Sequence, residues 1–318
     1  MLNEIPKIGF GFWKVAPDDC VDTFIEAVRA GYRHFDCAAD YGNEAQVGEG
    51  LAKAIEQGLC TRDEIWVTSK LWNTFHAPEH VEAACQKSLN DLGVEQFDLY
   101  LIHFPIALEY VPFEERYPPE WIFDPAADNP TMQQAKVPLH ETWAAMEKLV
   151  DKGLTRRIGV CNYNSALVHD LMRYAKIKPY ALQIESHPYL TQEKLIRLAE
   201  QYDMHVTAFS PLGALSYVEL DMAGSQDSVL NEPAVLTAAE NHDKSPAQIV
   251  LRWGIQRQIS IIPKTTKPER MRENLAITDF ALSDAEMRAI SALNANRRFN
   301  DPGVFCEAAF DSFHPIYD

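Results

Sequence analysis

Four polar side chains stand where short apolar runs end. Asp36 closes YRHFD (32–36), Tyr41 follows one short turn later, Lys70 closes IWVTSK (65–70) and His103 lies at the end of DLYLIHF (98–104). A carboxylate, a phenol, an ammonium and an imidazole are the groups that acid–base catalysis draws on. Singly, each has an ordinary explanation. An Asp after a strand often serves a turn or a helix cap, a strand-end Lys snorkels to water, and a Tyr or His there packs with its polar tip satisfied. The signal is their convergence at the same end of successive strands.

That end matters only if the strands are parallel. Further buried-strand runs lie at RIGVC (157–161), ALQIE (181–185), HVTAF (205–209), SIIPK (260–264) and ITDF (277–280), and amphipathic stretches alternate with them. This βαβα order predicts a parallel sheet covered by helices, and eight strands predict a (β/α)8 TIM barrel, in which sites are built from the C-terminal strand ends. Local signals place several helix starts: Ser245-Pro246 as an N-cap followed by Pro, Ser283-Asp284-Ala285-Glu286 as a capping box. No repeat or linker divides the chain, so residues 1–318 are expected to form one barrel domain. Two segments break the rhythm. Residues 105–137, which include Tyr117-Pro118-Pro119 and Asp128-Asn129-Pro130, form a long loop after the third predicted strand, of the kind that serves function. The Phe-rich tail at 297–318 lacks helical period and is expected to pack over an apolar surface at the barrel top.

Composition narrows the partners. A net charge of −17 disfavours nonspecific binding of nucleic acid or an anionic membrane face, and no segment offers the apolar length of a membrane span. Cys20, Cys37, Cys60, Cys85, Cys161 and Cys306 are widely spaced, which argues against a disulfide framework or zinc ribbon and for a reducing cytoplasm. The start of the chain lacks the features of a signal peptide. His76-Ala77-Pro78-Glu79-His80 matches a zinc pattern that needs both His on one helix face. Pro78 is expected to open the helix and leave His76 outside it, so no metal is expected.

The chain resembles the aldo-keto reductase family. The similarity runs through GFGFWKV (9–15), GYRHFDCAADYGNE (31–44), WVTSKLWN (66–73), DLYLIHFP (98–105), IGVCNYN (158–164), QIESHPYL (183–190), FSPLG (209–213) and IPKTTKPERMREN (262–274). The resemblance implies a catalytic tetrad at Asp36, Tyr41, Lys70 and His103. In that reading Tyr41 is the acid that protonates the carbonyl oxygen as a nicotinamide cofactor reduces the carbon. Lys70, compensated by Asp36, is expected to lower the Tyr41 pKa, and a neutral His103 orients the substrate.

No GxGxxG opens a Rossmann unit, so the cofactor is expected on the barrel itself. The resemblance implies NADPH, with NADH possible. It places Cys161 (often Ser in the family), Asn162 and Gln183 at the nicotinamide amide, and Phe209 (often Tyr) against its ring. Ser210 and Leu212 fall along the pyrophosphate, and Glu273 and Asn274 at the adenine. The basic cluster Lys264, Thr265, Thr266, Lys267 and Arg270 is a candidate pocket for the adenosine 2′-phosphate, although such a cluster is also what a solvated helix start looks like. Glu219 in SYVEL matches a xylose-reductase carboxylate that accepts from the ribose hydroxyls of NADH.

Trp13, Trp72 and Phe104 are candidate walls of the substrate pocket, with Trp121 from the loop and Asn300 from the tail; ordinary packing is the alternative for each aromatic. Loop and tail are most similar to xylose reductases, which implies reduction of an aldose to its alditol by a monomer or homodimer. Other segments resemble sugar-phosphate reductases, which tend to carry Lys after the catalytic Tyr, where this chain has Gly42. A noncatalytic, cofactor-binding regulatory subunit is the reading from a different class.

Overall fold

The structure is a computed structural model that describes residues 2–121, 126, 128, 131–224 and 226–317. Its strands are β1 Phe10–Gly11, β2 His34–Asp36, β3 Trp66–Leu71, β4 Leu99–Ile102, β5 Ile158–Cys161, β6 Ala181–Glu185, β7 His205–Phe209 and β8 Ser260–Ile261. All pair in parallel in chain order. The edges meet, because Ile8 bridges Ile261 and the Gly9 N–H donates to the Ile261 carbonyl at 2.8 Å. The result is the expected barrel, with one correction. Ile277–Phe280 is not a strand; the eighth strand is Phe10–Gly11, too short for periodicity to reveal and defined by its pairing with β2.

Helices cover the sheet: α1 Pro17–Ala30, α2 Glu44–Glu56, α3 Pro78–Leu92, α4 Leu139–Asp151, α5 Ser165–Tyr174, α6 Glu193–Gln201, α7 Pro233–His242, α8 Pro246–Gln256, α9 Pro268–Leu275 and α10 Asp284–Ser291. Ser245 and Ser283 cap α8 and α10 through reciprocal bonds with Gln248 and Glu286. The helix α3 starts at Pro78 and leaves His76 outside it, as the sequence predicts. Among the described residues no three metal-ligating side chains gather, and no helix is long and apolar enough to cross a membrane. All six cysteines are buried and unpaired.

Alternate strand residues meet inside the barrel. Trp66, Leu99, Leu101 and Ala181 pack with Ile5 and Leu2, so the N-terminal segment plugs one end. Gly159 permits this narrow interior, since a Cβ there would lie 2.4 Å from the Ala181 carbonyl oxygen. The next inward positions are polar and include Asp36, Lys70 and Gln183. The open end is roofed by the long loop and the tail. Trp121 contacts Phe305 and Phe310 at ring distances of 5.6 and 6.0 Å, and the Met132 N–H donates to the Ala309 carbonyl. The tail therefore covers apolar surface as expected, but it also forms two short helices, α11 Pro302–Phe305 and α12 Glu307–Phe310, which its weak periodicity hides. Asn129 and Pro130 of the predicted loop lie outside the described residues.

Candidate active site

Lys70 is fully buried at the end of β3 and spends three hydrogen bonds: to Asp36 Oδ1 at 2.5 Å, to the Cys37 carbonyl at 2.8 Å and to Tyr41 Oη at 3.1 Å. An ammonium has three hydrogens, so it is saturated, and the Tyr41 oxygen is an acceptor in that contact. Burial works against the Lys70 charge, but Asp36 and the other neighbours outweigh it and raise its pKa, so the cation persists. Tyr41 ends a 3-10 turn, Ala39–Tyr41, closed by Gly42 in the left-handed region at φ 66°. Burial raises the Tyr41 pKa above its ordinary value; Lys70 lowers it as expected but offsets only part of the burial effect, and the phenol stays protonated.

His103 follows β4 and meets the Tyr41 ring edge-on at 5.8 Å. Burial, with the Lys70 cation second, pushes its pKa well below the usual value, so the imidazole is neutral as expected. Its Nδ1 has no hydrogen-bond partner among the described residues.

Tyr41 and His103 face a cavity of about 1160 Å³ at the C-terminal strand ends. The cavity is large for a small-molecule site, which typically measures about 300–1,000 Å³. Cys161, Asn162, Gln183, Phe209, Ser210 and Leu212 line it. Asn162 and Ser210 adopt left-handed backbone, φ 64° and 47°, and so turn sharply where β5 and β7 end. Gln183 donates to Asp36 Oδ2 at 2.7 Å and accepts from the Cys161 thiol at 3.7 Å. Lys264, Thr265, Arg270, Glu273 and Asn274 also line the cavity. Lys264 and Arg270 are exposed there and have no ion-pair partner among the described residues. Glu219 lines the cavity too, with Lys14 donating to its carboxylate at 2.9 Å.

Trp13, Phe104, Trp121 and Asn300 reach the cavity. Four candidates do not. Thr266 and Lys267 are exposed outside it, because the chain turns away towards α9. Trp72 is fully buried, packs edge-on against His103 at 5.2 Å and donates to the Glu120 carbonyl, so it backs the wall without forming it. Lys70 sits behind Asp36 and Tyr41 and is hydrogen-bonded to both.

The sequence pattern of the Aldo/keto reductase family matches residues 7–295. The chain belongs to this family. A probable NAD(P)H-dependent D-xylose reductase of Aspergillus clavatus is 50% identical over 301 residues, which is 94% of this chain and 90% of that protein. The NAD(P)H-dependent D-xylose reductase of Aspergillus niger is 46% identical over 94% of this chain and 93% of that protein. Among solved structures, an aldose reductase from Schistosoma japonicum superimposes with a TM-score of 0.85 at 36% identity, covering 98% of this chain and 95% of that one.

In this aldo/keto reductase the structure adds residues that the motifs did not single out. Asp40 lines the cavity beside Tyr41, and its Oδ1 is buried without a hydrogen-bond partner among the described residues. Burial first, then the Glu120 carboxylate, raises its pKa to about 8, so at neutral pH it is a carboxylic acid able to donate as well as accept. A polar residue adjoining Tyr41 was the available signal. Glu185, fully buried at the end of β6, accepts from the Phe299 and Asn300 N–H groups at 2.8 and 2.9 Å. It anchors the tail so that Asn300, whose Oδ1 is also unpartnered, lines the cavity.

Proposed function

We propose that this aldo/keto reductase converts the open-chain aldehyde of an aldose, xylose or a sugar like it, to the alditol, with NADPH preferred and NADH usable. The observation that carries this reading is the Asp36–Lys70–Tyr41 chain ending in a protonated phenol at the cavity wall. The relatives named for NAD(P)H-dependent xylose reduction support the choice of substrate and cofactor.

The residues present fit a dinucleotide. The cavity is large enough, the carboxamides of Asn162 and Gln183 lie at one part of it, and the free cations Lys264 and Arg270 suit a phosphate at another. When bound, the reduced nicotinamide supplies hydride to the carbonyl carbon. Tyr41 supplies the proton: its oxygen is held by Lys70, its own hydrogen is free to meet the carbonyl oxygen, and loss of that hydrogen leaves a phenolate beside a cation. Neutral His103 contributes an uncharged hydrogen-bonding edge that orients the carbonyl. Asp40 and Asn300 line the cavity with polar side chains suited to sugar hydroxyls.

A free sugar suits this site better than a sugar phosphate. Lys14, Lys264 and Arg270 are the only Lys or Arg among the described lining residues; Lys14 is engaged by Glu219, and the other two are assigned to the cofactor in this reading. A phosphate near Tyr41 would instead approach the Glu120 carboxylate. The test is NADPH oxidation across a panel of xylose, other free aldoses and their phosphates. A kcat/KM highest for xylose-like sugars is expected. A chain that binds NADPH but turns over no aldehyde would establish the regulatory alternative.

A further inference from the structure

The side chain of Asn162 is fixed from three sides. Its Nδ2 donates to the His103 carbonyl at 2.8 Å and to Cys161 Sγ at 3.2 Å, while its Oδ1 accepts from the Tyr317 hydroxyl at 2.7 Å. Both amide hydrogens are thus spent, and one lone pair on Oδ1 remains. Tyr317 arrives from the tail and is itself held. The Arg298 guanidinium lies 3.6 Å from the centre of its ring, and Asn164 Nδ2 donates to the neighbouring Ile316 carbonyl at 3.3 Å. The return of the tail to this place depends on Gly303, where a Cβ would approach Pro315 Cα to 2.7 Å, a distance at which something must shift.

We propose that Tyr317 is a positioning residue for the nicotinamide carboxamide: its hydroxyl holds Asn162 with one Oδ1 lone pair presented to the carboxamide N–H, so that docking of the tail and affinity for the cofactor are coupled. The proposal rests on the reading that places Asn162 at the nicotinamide amide. Tyr317 is not among the residues lining the cavity and acts only through Asn162. Because coupling is reciprocal, bound cofactor in turn holds the tail down. The tail also carries Asn300, so the segment that contacts substrate closes most firmly once the cofactor is in place.

The test measures cofactor dissociation constants by quenching of tryptophan fluorescence in the full chain, for wild type, Tyr317→Phe, Gly303→Ala, the double variant and Asn162→Ala. Tyr317→Phe keeps the ring under Arg298 and removes only the hydroxyl. A hydrogen bond of this kind is worth roughly 3- to 10-fold in affinity. NADPH and NADH should weaken by the same factor, because both carry the carboxamide. The acetylpyridine analogue of NADPH, which keeps the carbonyl but lacks the N–H, should bind wild type and Tyr317→Phe alike. The double variant should bind no worse than the weaker single one, since both changes break one link. If Asn162→Ala weakens NADPH while Tyr317→Phe does not, or if the analogue weakens as much as NADPH, the proposal is overturned and the reading of Asn162 stands. If Asn162→Ala leaves all affinities unchanged, that reading fails and takes the proposal with it.

Discussion

Lys70 donates to the oxygen of Tyr41 at 3.1 Å, and because its other two hydrogens go to Asp36 and the Cys37 carbonyl, the phenol hydrogen is left for the cavity. The proposed role of Tyr41 as proton donor requires this direction. Tyr41→Phe should therefore reduce kcat by roughly 10²- to 10⁴-fold while NADPH binding is kept, since the ring remains. Steady-state kinetics and a fluorescence titration check both halves, and retention of a tenth of wild-type kcat would remove Tyr41 from the role.

The same bonding makes Lys70 structural as well. In Lys70→Met the buried Asp36 carboxylate would keep only the Gln183 amide, and stranding a buried charge costs about 3 to 5 kcal/mol. Urea unfolding should show a loss of this size, and adding Asp36→Asn should restore more than half of it. An additive double variant would contradict a buried ion pair.

Asn300→Ala and Asp40→Ala should each raise KM for xylose more than for a hydroxyl-free aldehyde, because a lost hydrogen bond matters only to a substrate that makes it. Comparing the two substrates in each variant tests this. Equal effects on both would take that residue out of the sugar site.

Glu44 sets a pH dependence of stability. It is buried between the Ser69 and Ser88 hydroxyls, which donate to it at 2.5 and 2.7 Å, and burial raises its pKa from 4.5 to about 7 despite them. A raised carboxyl binds its proton more tightly in the folded state, so its contribution is complete below about 4.5 and is lost as pH rises through about 7. The total is of order 3 kcal/mol. Denaturant unfolding across this range should show that decline, and Glu44→Gln should flatten it.

Arg270→Ala should weaken NADPH roughly 10- to 100-fold and barely affect NADH, because Arg270 reaches the cavity with no ion-pair partner among the described residues. Titrating both cofactors against both proteins decides it. Equal loss for the two would show that Arg270 does not read a 2′-phosphate.

What the sequence determined alone is what local chemistry encodes. Ser245-Pro246, Ser283 and Pro78 mark helix starts because a cap and its partners lie within one turn. Seven strands were legible as apolar runs, and Asp36, Tyr41, Lys70 and His103 were legible because each follows such a run. Tertiary structure decided the rest. Phe10–Gly11, two residues long, is a strand only because β2 and the Ile261 segment flank it, whereas ITDF has the composition of a strand and no neighbour to pair with. Trp72 and Thr266 belong to the right motifs, yet the turns after β3 and β8 aim them away from the cavity. The sign of the Tyr41 pKa shift follows from a balance between burial and Lys70 that no spacing reports. Tyr317 and Asn162 lie 155 positions apart, and only closure of the barrel and return of the tail bring that hydroxyl to that amide.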